Sequence, residues 1–111
     1  MNIKIDRGDW PSFADTFSEN NQGRPVSIER VSETVVSETI AEKAPLVALD
    51  FDDLEPDAML ITVGTEDEEA LTHTITDPQT VWLYSDAEGK ALSLEILTPD
   101  NAKTIVRFEN S

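Results

Sequence analysis

Residues 46–64 read LVALDFDDLEPDAMLITVG. Two apolar runs, 46–51 and 58–64, are rich in Val, Leu and Ile and have the length of ordinary strands. Six residues, 52–57, lie between them. A parallel crossover needs a dozen or more residues and usually carries a helix. Six residues with Pro56 among them leave room only for a return, so the two strands pair antiparallel.

That reading removes one attractive chemistry. An apolar strand ending in Asp50-Phe51-Asp52 is how haloacid-dehalogenase-type phosphotransfer sites begin. There the first Asp attacks phosphorus and the second acts as acid and base. Such a site needs a central parallel strand followed by a helix, and here a second strand follows instead.

The same logic extends along the chain. The segment 71–75 (LTHTI) is joined to 58–64 by the turn EDEE. Asp77-Pro78 then breaks the chain before TVWLY at 80–84. ALSLEIL and TIVRF form a hairpin around TPDNAK. SDAEGK is a loop in which Gly89 supplies positive φ. Upstream, PVSIERV alternates at Val26, Ile28 and Arg30. A turn near Glu33 leads to a further strand at Val35–Ala41, and Pro45 suits the start of the next strand. VSET occurs at 31–34 and again at 36–39, an offset that fits no repeat architecture.

The first clear element is helical. In DWPSFADTFSENNQG, Trp10, Phe13 and Phe17 recur at i, i+3 and i+7 and share one face. Asp9 stands as N-cap, and Pro11 is tolerated in the first turn. Asn and Gly at the far end suit a left-handed cap. Three aromatics on one face predict a lid over a sheet. The fold class expected is α+β: an N-terminal helix packed on a small antiparallel β-barrel, or on a strongly curved sheet of seven to eight short strands.

With 111 residues, the chain is expected to form a single domain spanning 1–111. It has no cysteine, which excludes disulfides and thiolate chemistry. The opening MNIKIDRGDW lacks the apolar centre of a signal peptide, and no run approaches the length of a membrane span. A soluble cytoplasmic protein is the expectation. The net charge is −15, from 23 acids against 8 bases. Such a chain is repelled by nucleic acid and by anionic lipid, so direct binding to either is excluded as an expectation. A basic protein partner or a cation fits the charge. The sequence leaves the oligomeric state open.

Five carboxylates crowd residues 50–57: Asp50, Asp52, Asp53, Glu55 and Asp57. They are hard oxygen ligands, but the calcium-loop pattern fails, because Leu54 and Glu55 stand where a ligand and a glycine are needed. A weak divalent-cation site is the remaining functional reading of this loop; solvated acid side chains are the plain one. No cofactor is expected. His73 is the only histidine. Alternation places Leu71, His73 and Ile75 on one inward face, where a hydrogen-bonded structural histidine is expected. A metal-dependent activity around His73 is the alternative, and it requires loop carboxylates within reach. There is no glycine-rich phosphate loop, no G-x-S-x-G and no H-E-x-x-H.

DNA mimicry is a second alternative. A 12.3 kDa fold exposes roughly 6,100 Å². Fifteen charges on that area are about fourfold more dilute than phosphates on B-DNA. The acidic segments 50–57 and 66–69 flank one strand and should sit about 20 Å apart, which argues against a continuous stripe.

Three segments, DWPSFADTFSENNQGRPVSIE, LTHTITDPQTVWLY and ALSLEILTPDNAKTIVRF, together resemble domain-of-unknown-function family 5335. The shared pattern is Trp10, Phe13, Phe17 and Ser18, then His73-Thr74-Ile75 with Pro78, then Leu94-Glu95-Ile96 and Val106-Arg107-Phe108. Residues 31–57 match least. The resemblance implies a bacterial single-domain protein and brings no activity or catalytic residue with it. Most of the pattern reads as core, with Glu95 and Arg107 expected to pair across the last hairpin. The function expected is a non-enzymatic protein-binding or regulatory module, with a DNA-mimic inhibitor of a basic protein as the rival.

Overall fold

The computed structural model describes residues 1–33, 37–52, 57–64 and 70–109. After β1 (Asn2–Ile5) and a 3-10 turn at Arg7–Asp9 comes helix α1 (Trp10–Asn21). Seven strands follow: β2 (Pro25–Val31), β3 (Glu38–Asp52), β4 (Ala58–Gly64), β5 (Ala70–Thr76), β6 (Thr80–Ser85), β7 (Ala91–Leu97) and β8 (Lys103–Phe108). The expected turn at EDEE lies outside the described residues.

The eight strands form one sheet in the order β1-β6-β7-β8-β2-β3-β4-β5, antiparallel at every pairing. The sheet is not closed into a barrel, since β1 and β5 are its two ends. It must nevertheless roll up. β5 and β6 stand six strand positions apart, about 29 Å in a flat sheet. Only Asp77, Pro78 and Gln79 connect them, and Thr76 to Thr80 can span at most ~14 Å. Of the two expected forms, the curved sheet is the one present.

Much of the bend is in β3. Its first half, Glu38–Pro45, pairs with β2, and its second half, Leu46–Asp52, pairs with β4. Register shifts interrupt both ladders, and Lys43 adopts φ 49°. Bulges of this kind turn sheet corners without ending a strand. This corrects the sequence reading, which expects separate strands at Val35–Ala41 and from Pro45. Pro45 does not start a strand; it sits in the corner, opposite Pro25. β1 is a further departure from that reading. Its four residues, Asn-Ile-Lys-Ile, alternate over too short a run to mark a strand, only Ile5 is partly buried, and pairing with β6 defines it.

Helix α1 begins as expected, with Asp9 at the N-cap and Pro11 in the first turn, although the Asp9 side chain makes no capping bond. Gly23 at φ 87° ends the segment, a conformation a β-carbon disfavours. The buried face carries Trp10, Ala14 and Phe17. Trp10 meets Phe51 edge-on at 5.4 Å and Phe17 meets Phe108 at 5.7 Å, so the aromatic lid is real.

Alternation supplies the rest of the core. Val81, Leu94, Ile96, Val106, Val26, Ile28, Leu49, Met59, Ile61 and Ile75 belong to one buried cluster with the helix aromatics. The last hairpin forms where expected, but its charge pairs differ. Glu95 bonds Lys103 at 3.0 Å, and Arg107 crosses the other way to Glu29 on β2 at 3.0 Å. The expected Glu95–Arg107 pair is therefore absent. Register places Arg107 opposite Ser93 and Glu95 opposite Ile105, so the two charges are not cross-strand partners.

Candidate functional site

Along β2 the inward stripe is Val26, Ile28, then Arg30. Both Val26 and Ile28 are fully buried. Along β8 the stripe runs Phe108, Val106, Thr104, and Thr104 is directly opposite Arg30. Along β5 it runs His73, Ile75, with His73 opposite Ile61 of β4, whereas Leu71, expected on the same inward face, is exposed. Towards one end of the curved sheet the apolar interior thus gives way to Arg30, Thr104 and His73. These three line a cleft of about 390 Å³, together with Ile75, Thr98 and Asp100.

The cleft's polar groups differ in how well they are held. Asp100 belongs to the β7–β8 turn, in which Asn101 takes φ 61°. One Asp100 oxygen accepts the Thr98 hydroxyl and the Ala102 N–H, the latter at 3.4 Å. The other lies 3.5 Å from the Arg30 guanidinium. The Thr98 hydroxyl is the main cause that holds the Asp100 carboxyl below its usual range, with backbone N–H groups and Arg30 contributing. Arg30 makes no closer polar contact among the described residues. His73 is half-buried, and its Nε2 is buried with no hydrogen-bond partner among the described residues. The expected hydrogen-bonded histidine is therefore not found at that atom. Burial pushes the imidazole below its ordinary pKa; Arg30 pushes the same way, and Glu38 opposes in part.

The acidic candidates lie elsewhere. Asp50 and Asp52 are on exposed positions of β3, as alternation anticipates for Asp50. Asp53 and Glu55 lie outside the described residues. Asp57 is only partly exposed; its carboxylate pairs with Arg7, and its carbonyl accepts the Asp77 N–H at 2.7 Å. His73 is opposite Ile61, three residues along β4 from its start at Ala58. No group of three metal-ligating side chains comes together among the described residues. Asp57 is thus placed in the fold by Arg7, which stacks over Trp10 and Phe51.

Sequence reasoning reaches His73 and misses its neighbours. The signal for Arg30 is present: a charged residue in phase with Val26 and Ile28. Thr98, Asp100 and Thr104 carry no such signal, because the roll of the sheet brings them to β5.

The outer edge of β5 is the second feature. Among the described residues β5 has a neighbour on one side only, and its register with β4 runs unbroken from Ala58↔Thr76 to Gly64↔Ala70. Its sequence, ALTHTIT, contains no Asp, Glu, Lys, Arg or Pro. Free edges are usually protected by charge, proline, bulges or brevity. The other end strand, β1, is four residues long and contains Lys4.

No helix among the described residues is long and apolar enough to cross a membrane. No curated protein and no solved structure matches the chain. The model of one family matches residues 1–111, and its description is a family of unknown function, DUF5335. The helix aromatics, the His73 strand and the closing hairpin all take structural places within that match, and the chain belongs to the DUF5335 family.

Proposed function

We propose that this protein is a non-enzymatic binding module that receives an extended basic segment of a partner protein along the free edge of β5. The observation that carries this reading is the edge itself: seven residues without charge, proline or bulge. Half of the backbone N–H and C=O groups of an end strand point away from the sheet and can form a ladder with an added strand. Ala70, Leu71, Thr72 and Thr74 are exposed along it.

Charge selects the partner. The net charge is −15, and Arg7, Arg30, Lys103 and Arg107 each face an acid of the same chain. In sequence β5 follows Glu66-Asp67-Glu68-Glu69 and precedes Asp77. A field of this sign steers basic segments in and repels a second copy of the chain. The DNA-mimic reading is less well supported. The 6718 Å² surface gives about 450 Å² per net charge, far more dilute than a duplex. Enzymatic readings lack a relay, since no acid or hydroxyl among the described residues hydrogen-bonds His73 Nε2.

The test is a ¹⁵N NMR titration with a blocked peptide of the length of β5, alternating lysine with threonine or valine. Saturable amide shifts concentrated at Ala70–Thr76 are expected, weakening with salt. The matching glutamate peptide should produce none. Absence of shifts at β5 with the lysine peptide would overturn the reading.

A further inference from the structure

The cleft beside His73 supports a second binding activity, whose ligand is an anion and not a basic strand added at β5. We propose that it is a site for a small oxyanion, a carboxylate or a phosphate, gripped by the Arg30 guanidinium with His73 Nε2 and the Thr104 hydroxyl as further donors.

Arg30 carries the argument. It occupies an inward position on β2, in phase with two fully buried residues, at the wall of a cleft of about 390 Å³. Every other arginine is tightly engaged. Arg24 donates to Asn21 Oδ1 at 2.7 Å and to the Ala91 carbonyl at 3.0 Å, and stacks on Phe108. Arg107 holds Glu29 at 3.0 Å, and Arg7 holds Asp57. Among the described residues Arg30 has only the 3.5 Å contact to Asp100, whose side chain is 61% exposed and whose other oxygen is committed to Thr98 and Ala102. A guanidinium has five donors in a planar fork that fits two oxygens of one anion. Among the described residues most of that capacity is unspent.

The neighbours fit the same ligand. An imidazole kept neutral retains one N–H, and with the proton on Nε2 that buried atom becomes a donor. Buried polar atoms of this kind are rarely left unpaired; His73 lines the cleft, and a ligand there can supply the partner that Nε2 lacks among the described residues. Thr104, which is buried and in register with Arg30, adds a hydroxyl. Ile75 supplies an apolar wall; Asp100, Glu38 and Glu33, which accepts from Asn101 at 3.3 Å, are acids near the cleft among the described residues. Asp100 is the internal competitor: a bound oxyanion displaces its loose contact with Arg30.

His73, as the sole histidine, is the reporter. Its ring proton resonances would be followed by ¹H NMR during separate additions of succinate and inorganic phosphate, each against sodium chloride at equal ionic strength. A saturable shift with either anion, beyond the chloride control, is expected. The anion that saturates at lower concentration identifies the class. Arg30→Gln should weaken binding at least about tenfold, as loss of a charge-assisted fork implies. Asp100→Asn should tighten it severalfold by removing the competitor, which also guards against a misfolded Arg30 variant. No saturable shift with either anion, or equal affinity in folded Arg30→Gln, would overturn the proposal. The cleft shares His73 to Thr76 with β5, so the variants separate the two ideas: Arg30→Gln should weaken the anion-induced shift and leave the β5 shifts caused by the lysine peptide in place.

Discussion

Ser18 and Leu49 join the helix to the sheet by their polar atoms. The Leu49 N–H donates to Ser18 Oγ at 2.8 Å, and Ser18 Oγ lies 3.0 Å from the Leu49 carbonyl and 2.7 Å from that of Ala14. The second half of β3 loses β2 as a neighbour after Pro45, so its edge would be bare. The helix covers it. Gly23 N–H bonds the Leu46 carbonyl at 2.8 Å, the Leu46 N–H bonds the Arg24 carbonyl at 2.9 Å, and Ser18 takes the groups of Leu49. A hydroxyl is the smallest side-chain group that can both donate and accept there.

Ser18→Ala should therefore leave the Leu49 N–H unpaired under the helix. A loss of about 1–3 kcal/mol is expected, the range for a buried donor without its acceptor. Urea unfolding would measure it as a lower midpoint with an unchanged slope.

The titration of His73 gives a pH prediction. Its folded pKa lies below the ordinary 6.5, chiefly through burial and then through Arg30. Above that value both folded and unfolded chains hold a neutral ring. As pH falls below 6.5 the unfolded chain binds the proton first, so stability declines. Asp86 and Asp100 have lowered pKa values against an ordinary 3.8, so their stabilising contributions are lost only in a more acidic window. His73→Asn should flatten the loss as pH falls below 6.5, read from unfolding midpoints at each pH. By ¹H NMR, the His73 pKa should rise in Arg30→Gln and fall in Glu38→Gln, since these remove the opposing charges. Unchanged values in both variants would disprove the assignment of causes.

Backbone conformation predicts opposite outcomes at two positions. Gly23 has φ 87°, and the space a β-carbon would take there is open, so Gly23→Ala tests conformation alone. A loss of about 1–2 kcal/mol is expected. Lys43 has φ 49° at the corner of β3, where a glycine suits a bulge. Lys43→Gly should be neutral or stabilise by up to about 1 kcal/mol. Thermal unfolding of both variants checks the pair.

Lysine is the usual guard of a free edge. Thr74→Lys on β5 adds that guard at an exposed site. Stability should change by no more than about 0.5 kcal/mol. The β5 shifts caused by the lysine peptide should shrink, because like charges then face each other.

Much of this architecture is legible in the sequence. The periods of two and of 3.6 place α1 and strands β2, β4, β5, β6, β7 and β8, because local side-chain alternation is imposed by which face meets the core. The six-residue link after Phe51 dictates antiparallel pairing by chain reach alone. His73 is legible as inward-facing, between Leu71 and Ile75.

What the sequence determined by itself was therefore the segmental pattern, the acid excess and the absence of thiol chemistry. Tertiary structure decided the rest, for reasons of distance and register. β1 exists because β6 offers it a ladder. β3 runs through Pro45 because a bulge at Lys43 bends the strand instead of ending it. Lys103 and Arg107 are equally diagonal to Glu95; Glu95 takes Lys103, and Arg107 takes Glu29 because β2 lies beside β8, a neighbour that periodicity does not specify. Arg30, His73, Thr104 and Asp100 come from widely separated positions, and only the roll of the sheet makes them neighbours. The outer edge of β5, unpaired among the described residues, likewise follows from strand order, which no single strand encodes.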